Sequence, residues 1–220
     1  MTADLRHIDV WIFDLDNTLY PPSCEFMALI EGRMTAFVAR ETGLPRDQAF
    51  ALQKRYLSEH GTTLAGLMAN HGVDPEAFLD EVHDVSMASL VPDAGLRDAI
   101  AALPGRRLVF TNGDRRHAER VLAKLQLDDL FEATFHIALA DYIPKPHPKT
   151  FARMVEAHDV APASTAFFED SARNLAPAFE LGMTTVLVGP HAPEAEHEFV
   201  RFRTPDLAAF LRAARLKESV

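Results

Sequence analysis

The sequence predicts an α/β protein whose core is a doubly wound parallel sheet, with a helical insertion after the first strand. Three observations support this fold class. Short apolar runs without alternation are typical of strands buried on both faces. Helical patterns separate most of these runs, as in parallel α/β sheets. The interval after the first run contains helical patterns but no convincing strand.

The strands and helices of the core alternate along the chain. Five strands are predicted from β-branched and aromatic runs, at residues 10–13, 108–111, 134–137, 165–168 and 184–188. Five helices are predicted between and after them, at residues 95–103, 116–125, 148–158, 174–181 and 206–215. This alternation favours parallel strands joined by helical crossovers.

The insertion contains four amphipathic helical segments, at residues 25–42, 47–58, 64–71 and 75–88. Because it follows the first strand directly, we expect it to form a lid over the carboxyl edge of the sheet. We therefore predict two domains: a core formed by residues 1–19 and 92–220, and an all-helical cap formed by residues 20–91.

Composition excludes several classes of protein. The net charge of −10 argues against binding to a nucleic acid polymer, which requires clustered lysine and arginine. Cys24 is the single cysteine, so no disulfide can form within the chain. No apolar run is long enough for a membrane span, and charged residues near the N-terminus do not resemble a signal peptide. We expect a cytoplasmic protein; its oligomeric state stays open.

Chemically active side chains follow the predicted strands. Asp14 and Asp16 follow the first strand, Thr111 and Asn112 end the second, and Asp170 follows the fourth. The carboxyl ends of parallel strands meet at one edge of the sheet, where such folds bind ligands. We therefore expect these side chains to lie together.

Lys145 and Glu169 complete this predicted site. Lys145 lies between Pro144 and Pro146, which restrict its backbone. Its charge offsets that of a carboxylate and binds phosphate. Glu169 precedes Asp170 and is either a second metal ligand or a residue that orients the ligands, which we favour.

The residue types point to phosphoryl transfer assisted by Mg²⁺. Carboxylates that converge repel each other unless a cation is bound, and oxygen ligands favour Mg²⁺. We expect Asp14 to attack phosphorus and Asp16 to act as general acid and base. Thr111 and Asn112 would donate hydrogen bonds to phosphate oxygens, and Asp170 would complete the metal shell.

Four motifs in order resemble those of the haloacid dehalogenase superfamily of phosphatases. They are the segment 13–19 (FDLDNTL), Thr111-Asn112, Lys145-Pro146 and Glu169-Asp170. The resemblance implies a Rossmann-like core with a helical cap. It also implies that Asp14 is the nucleophile, that Asp16 is the acid/base, and that Asp14, Asp16 and Asp170 are metal ligands.

Two further segments resemble the pyrimidine 5′-nucleotidase branch: 16–22 (DNTLYPP) and 56–67 (YLSEHGTTLAGL). This resemblance implies a small phosphorylated substrate, a nucleoside monophosphate such as UMP or CMP. The second segment offers substrate-binding candidates, namely Tyr56, His60, Thr62 and Thr63. The plainer interpretation is a helix break at Gly61 and packing by Tyr56. Eukaryotic members of the branch usually have two aspartates where this chain has Glu169-Asp170.

Other hypotheses remain open. A phosphatase of the sugar phosphate or phosphoglycolate type would use the same core. A carbon–halogen hydrolase needs neither the acid/base residue nor the metal, and a phosphonate hydrolase needs a cap lysine, for which Lys54 is the one candidate. A scaffold protein without catalysis is the alternative that is not an enzyme.

Overall fold

The computed structural model describes residues 2–217, and its core is a six-stranded parallel sheet. In chain order the strands are β1 (Val10–Phe13), β2 (Arg106–Phe110), β3 (Ala133–Phe135), β4 (Thr165–Glu169), β5 (Thr184–Val188) and β6 (Phe202–Thr204). Their order across the sheet is β3-β2-β1-β4-β5-β6. The chain winds in opposite directions from β1, so the gap between β1 and β4 is the switch point at which such sheets bind ligands.

The sheet is buried on both faces. Along β1, Trp11 and Phe13 pack into one apolar cluster while Val10 and Ile12 pack into another. This division follows the two-residue period of a strand. The first cluster contains side chains of α5 (Ala94–Ala101), α6 (Arg115–Leu125) and α9 (Leu207–Ala213). The second contains side chains of α7 (Pro148–Ala157) and α8 (Ala172–Glu180).

Four helices form the insertion between β1 and α5, which we call the helical cap: α1 (Phe26–Thr42), α2 (Arg46–His60), α3 (Thr63–His71) and α4 (Pro75–Val82). Their apolar faces form a third cluster around Val38, Leu67 and Phe78. This cluster also contains Ile137, from the segment after β3, so the cap packs in part against the core.

The predicted fold class is confirmed, with local differences at the ends of elements. β6 was not predicted; it has three residues, of which one is buried, and so lacks a clear apolar run. The fourth cap helix ends at Val82 instead of continuing to residue 88. The His83 carbonyl accepts hydrogen bonds from Arg120 and from the Val85 N–H, which takes the chain out of the helix.

The division of the chain into residues 20–91 and the remainder stays a prediction. Residues 1 and 218–220 of the predicted core lie outside the described part. Among the residues described, none of the helices is long and apolar enough to cross a membrane.

Candidate active site

The strand ends bring the predicted residues together at one edge of the sheet. Asp14 follows β1, and its N–H donates to the Phe168 carbonyl of β4. Thr111 follows β2, and its N–H donates to the Phe135 carbonyl of β3. Glu169 is the last residue of β4. Regular strand pairing therefore brings the residues of the site together.

Lys145 is a fully buried cation that joins two of these carboxylates. Its Nζ atom donates to Asp14 Oδ1 at 2.7 Å, to Glu169 Oε2 at 2.8 Å and to the Phe110 carbonyl at 2.7 Å. All three donors of the ammonium group are used. Burial alone lowers the pKa of Lys145, but the charges of Asp14 and Glu169 outweigh it and raise the pKa above its usual range. Lys145 is therefore a permanent positive charge beside Asp14.

Three carboxylates converge next to this lysine. Oxygens of Asp14, Glu169 and Asp170 lie within 4.8 Å of one another. Burial and the charge of Glu169 raise the pKa of Asp14 to about 7, although Lys145 opposes the rise. The same two causes raise the pKa of Asp170 to about 10. One lysine does not neutralise three buried carboxylates, so the cluster has the chemistry of a cation site.

The carboxyl group of Asp16 has partners outside this cluster. Its Oδ1 accepts a hydrogen bond from the Tyr20 hydroxyl at 2.7 Å and lies 2.8 Å from His117 Nε2. Burial by itself raises the pKa of Asp16. His117 and Tyr20 outweigh this effect and lower the pKa to about 2. In the structure, therefore, the acidic cluster contains the side chain of Glu169 and not that of Asp16.

Thr111 and Asn112 hold the loops around the site. The Thr111 hydroxyl accepts the Gly113 N–H at 2.9 Å, which leaves its own proton free to donate. Asn112 Oδ1 accepts the Lys145 N–H at 2.8 Å, and Asn112 Nδ2 donates to the Lys145 carbonyl at 3.3 Å. The Asn112 side chain thus fixes the backbone of the lysine loop.

A cavity of about 300 Å³ lies between this edge of the sheet and the helical cap. That size is at the small end of the range for small-molecule sites. Its floor includes all six core candidates, Asp14, Asp16, Thr111, Asn112, Lys145 and Asp170. Its opposite wall consists mainly of apolar cap side chains, among them Met27, Ile30, Met34, Phe78 and Leu79.

The four candidates from the cap separate into two pairs. Thr62 and Thr63 line the cavity, where Thr62 also caps α3 by accepting the Ala65 N–H. Tyr56 and His60 do not line it. Tyr56 is buried in the cap core, where its hydroxyl pairs with His71, and the His60 ring packs edge-on against the Tyr56 ring.

Several site residues were not found from the sequence. Tyr20 and His117 contact Asp16, and His83 stacks on His117; these three residues are far apart in the chain and match no spacing rule. Gln53 is buried and lines the cavity from α2. Arg173 also lines it, two residues after Ser171. The proximity of Tyr20 to Asp16, four residues apart, was the one signal available in the sequence.

Comparisons with known proteins find a matching family model and relatives by sequence. The family model described as haloacid dehalogenase-like hydrolase matches residues 8–182. Phosphate metabolism protein 8 of Saccharomyces cerevisiae is 29% identical over 194 residues, which cover 81% of this chain and 60% of the yeast protein. The (S)-2-haloacid dehalogenase of Xanthobacter autotrophicus is 28% identical over 194 residues, covering 85% of this chain and 75% of the dehalogenase.

Solved structures share the fold at low identity. A HAD phosphatase from Thermococcus onnurineus has a TM-score of 0.61 at 17% identity, covering 98% of this chain and 100% of that one. The L-2-haloacid dehalogenase from Xanthobacter autotrophicus has a TM-score of 0.59 at 18% identity, covering 93% of this chain and 97% of the other. The fold and the site define a hydrolase with a parallel α/β core and a helical cap. The chain belongs to the haloacid dehalogenase-like hydrolase family, whose model spans most of its length.

Proposed function

We propose that this hydrolase is a Mg²⁺-dependent phosphatase that cleaves a small phosphate monoester through an aspartyl-phosphate on Asp14. The observation that carries the proposal is the position of Asp14. This carboxylate is paired with buried Lys145, belongs to the acidic cluster and faces a cavity that Asp16 also lines. A nucleophile, a cation site and a second carboxyl are the groups that phosphoryl transfer requires.

The acidic cluster fits a divalent cation with a preference for oxygen ligands. Asp14 and Asp170 would hold it, and the backbone carbonyl of Asp16 is a further candidate. Both oxygens of Glu169 are already engaged, by Lys145 Nζ and by the Ser171 N–H. Glu169 therefore suits the role of orienting its neighbours. When bound, Mg²⁺ would supply charge that offsets the phosphate and the cluster.

Two steps complete the reaction. A carboxylate oxygen of Asp14 forms a bond to phosphorus as the bond between phosphorus and the leaving oxygen breaks, and the leaving oxygen takes a proton from Asp16. Water then attacks phosphorus, Asp16 receives its proton, and inorganic phosphate departs as Asp14 is restored. The negative charge of a bound phosphate would act to raise the pKa of Asp16, which is low in the free site. In this proposal the Thr111 hydroxyl and the second proton of Asn112 Nδ2 would donate to the phosphate, and Lys145, whose three donors are engaged, would contribute its charge.

We propose a nucleoside monophosphate, in particular a pyrimidine nucleotide, as the substrate in preference to a sugar phosphate. The wall opposite the carboxylates is largely apolar, which suits the flat face of a base. Gln53 and Thr63 are polar groups in this part of the cavity, together with Thr62 and with Glu31, which pairs with Lys54. A carboxamide and a hydroxyl can hydrogen-bond to the edge of a base, whereas a bare sugar would leave the apolar wall uncovered.

The second candidate is a carbon–halogen hydrolase, which the similarity to the Xanthobacter dehalogenase favours. The acidic cluster and Asp16 argue against it, because displacement of halide needs neither a cation nor a proton donor. A phosphonate hydrolase is disfavoured as well. Lys54 does not line the cavity and forms a salt bridge with Glu31 at 2.5 Å.

The test measures phosphate release from UMP, CMP, AMP, ribose 5-phosphate and phosphoglycolate, and halide release from 2-chloropropionate, in Mg²⁺ and in EDTA. We expect the highest kcat/KM for UMP and CMP, and loss of activity in EDTA. Acid quenching and mass spectrometry should find a phosphoryl group on Asp14. Asp14→Asn should abolish turnover, whereas the exposed Asp98→Asn should not change it.

Three outcomes would contradict the proposal in different ways. Halide release without phosphate release would identify a dehalogenase. A higher kcat/KM for ribose 5-phosphate or phosphoglycolate than for UMP would refute the nucleotide assignment and keep the phosphatase. Turnover by Asp14→Asn at the wild-type rate would refute the covalent mechanism.

A further inference from the structure

The carboxyl group of Asp16 is held at one oxygen by two donors. Oδ1 is 2.7 Å from the Tyr20 hydroxyl and 2.8 Å from His117 Nε2. A carboxylate oxygen has two lone-pair positions, so both are used and a proton on Asp16 goes to Oδ2. Oδ2 lies on the side of Gly113, where a β-carbon on that glycine would be 3.8 Å away. Asp16 and Gly113 both line the cavity.

His117 itself is oriented by the helical cap. The ring belongs to α6 of the core and is fully buried. Within residues 2–217, its Nδ1 has no hydrogen-bond partner, so the bond to Asp16 is the only one its ring makes. The orientation of the His117 ring is also constrained by stacking against two other rings. The His83 ring lies 4.0 Å away at an interplanar angle of 17°, and the Phe26 ring lies 6.0 Å away at 2°.

Both stacked rings come from the ends of the cap. Phe26 begins α1, and His83 directly follows α4. The His83 ring also forms a hydrogen bond with one carboxylate oxygen of Asp114. The other oxygen accepts the backbone N–H of His117 and so caps α6. Tyr20 packs edge-on against Phe26, with 5.7 Å between ring centroids. Each donor to Asp16 therefore contacts a side chain of the cap.

We propose that Tyr20 and His117 are positioning residues that fix Asp16 with its free oxygen toward the leaving group, and that His83 and Phe26 of the cap hold them in place. The inference rests on the proposed phosphatase function and adds to it a physical link between cap packing and proton transfer. It does not depend on the charge of His117, because the neutral Nε2–H tautomer and the cation both donate at Nε2.

The test uses the different needs of two leaving groups. The sugar alkoxide of UMP requires a proton from Asp16, whereas the nitrophenolate of p-nitrophenyl phosphate leaves with little help. Comparison of kcat/KM reports only the steps up to loss of the leaving group, so the shared hydrolysis of the aspartyl-phosphate does not enter. A residue that positions Asp16 should affect the two substrates unequally.

His117→Phe keeps a flat ring for stacking and removes the donor. We expect kcat/KM for UMP to fall by about 100-fold, within the range of general acid catalysis, and that for the aryl phosphate to fall far less. His117→Gln places an amide donor near the position of Nε2 and should recover part of the loss on UMP. Tyr20→Phe, which removes the second donor, should show the same preference for the aryl substrate. His158→Gln is the matched control, because His158 is a half-buried histidine that follows α7 and does not line the cavity.

Equal losses on the two substrates in both Phe variants would overturn the positioning role and leave the proposed function intact. Unchanged kcat/KM for UMP would do the same. Absence of phosphate release by the wild-type protein would overturn both the function and this role. Thermal unfolding of each variant shows whether it folds. If His117→Phe does not fold, the comparison of the two substrates with Tyr20→Phe decides the positioning role.

Discussion

At the scale of single residues, Asp170 is the carboxyl group of the candidate site whose charge its neighbours compensate least. Lys145 is already shared by Asp14 and Glu169, and the described residues form no salt bridge with Asp170. Burial and the nearby carboxylates raise the pKa of Asp170 to about 10, so the charged form of this group is disfavoured. A buried carboxyl group whose charge is disfavoured in this way reduces the stability of the protein unless a cation is bound.

Asp170→Asn should therefore affect stability and metal binding in opposite directions. In EDTA, the variant should be at least as stable as the wild type, because an amide avoids the cost of keeping the Asp170 carboxyl group protonated at neutral pH. Saturating Mg²⁺ should stabilise the wild type by about 2.7 kcal/mol at a hundred times the Kd and should leave the variant nearly unchanged. Thermal unfolding with and without Mg²⁺ measures both effects.

The exposed Asp98→Asn serves as the control for the loss of one negative charge. It should retain the full Mg²⁺ response. A full response in Asp170→Asn would show that the cation lies elsewhere.

The sequence located the core residues of the candidate site because regular strands carry them. Asp14, Thr111 and Glu169 each lie at or just after a strand end, so parallel pairing alone brings them together. His117 could not be found in this way. Its contact with Asp16 spans 101 positions and depends on how α6 packs beneath the cap.

At the scale of elements, helices α2 and α3 of the cap pack closely at Gly66. A β-carbon on Gly66 would lie 2.3 Å from Tyr56 Cγ, far inside van der Waals contact. Tyr56 is itself buried, and its hydroxyl pairs with His71. The glycine therefore permits the close approach of α3 to the Tyr56 ring. Tyr56 is better described as a packing residue of the cap than as a cavity residue.

Gly66→Ala should consequently destabilise the protein by about 1–3 kcal/mol, the usual cost of overpacking a core. Gly32→Ala is the matched control, since Gly32 also lies inside a cap helix but a β-carbon there would meet nothing within 4 Å. We expect Gly32→Ala to stabilise by about 0.5–1 kcal/mol, because alanine is the better helix former. Urea denaturation of both variants measures the difference. Equal effects would contradict the close packing.

The ends of elements were less predictable than their existence. Apolar periodicity indicates where a helix can run, but the end of α4 is set by tertiary contacts of His83 with Arg120 and Asp114. Those partners belong to the core and are distant in sequence. A pattern within one helix does not contain that information.

At the scale of the whole molecule, one arginine of the core holds the cap near the cavity. Arg173 in α8 donates to the Leu57 carbonyl at 3.1 Å and to the Gly61 carbonyl at 3.0 Å. Both carbonyls belong to the last turn and C-cap of α2, the end at which the helix dipole favours a cation. Because the cavity is enclosed by cap and core together, these bonds stabilise the arrangement in which it is complete.

Arg173→Met should weaken this closed arrangement more than it weakens the fold. We expect KM for the nucleotide to rise by about 3- to 10-fold, because the apparent affinity falls with the fraction of molecules in which cap and core together complete the cavity. The free energy of unfolding should fall by only about 1 kcal/mol. Inhibition by inorganic phosphate, which needs only the core, separates this role from direct contact with phosphate. If the inhibition constant for phosphate is the same in the variant and the wild type, Arg173 acts by joining the cap to the core. If this constant rises together with KM, Arg173 binds phosphate directly. Arg201→Met, at an exposed core position, should change neither constant.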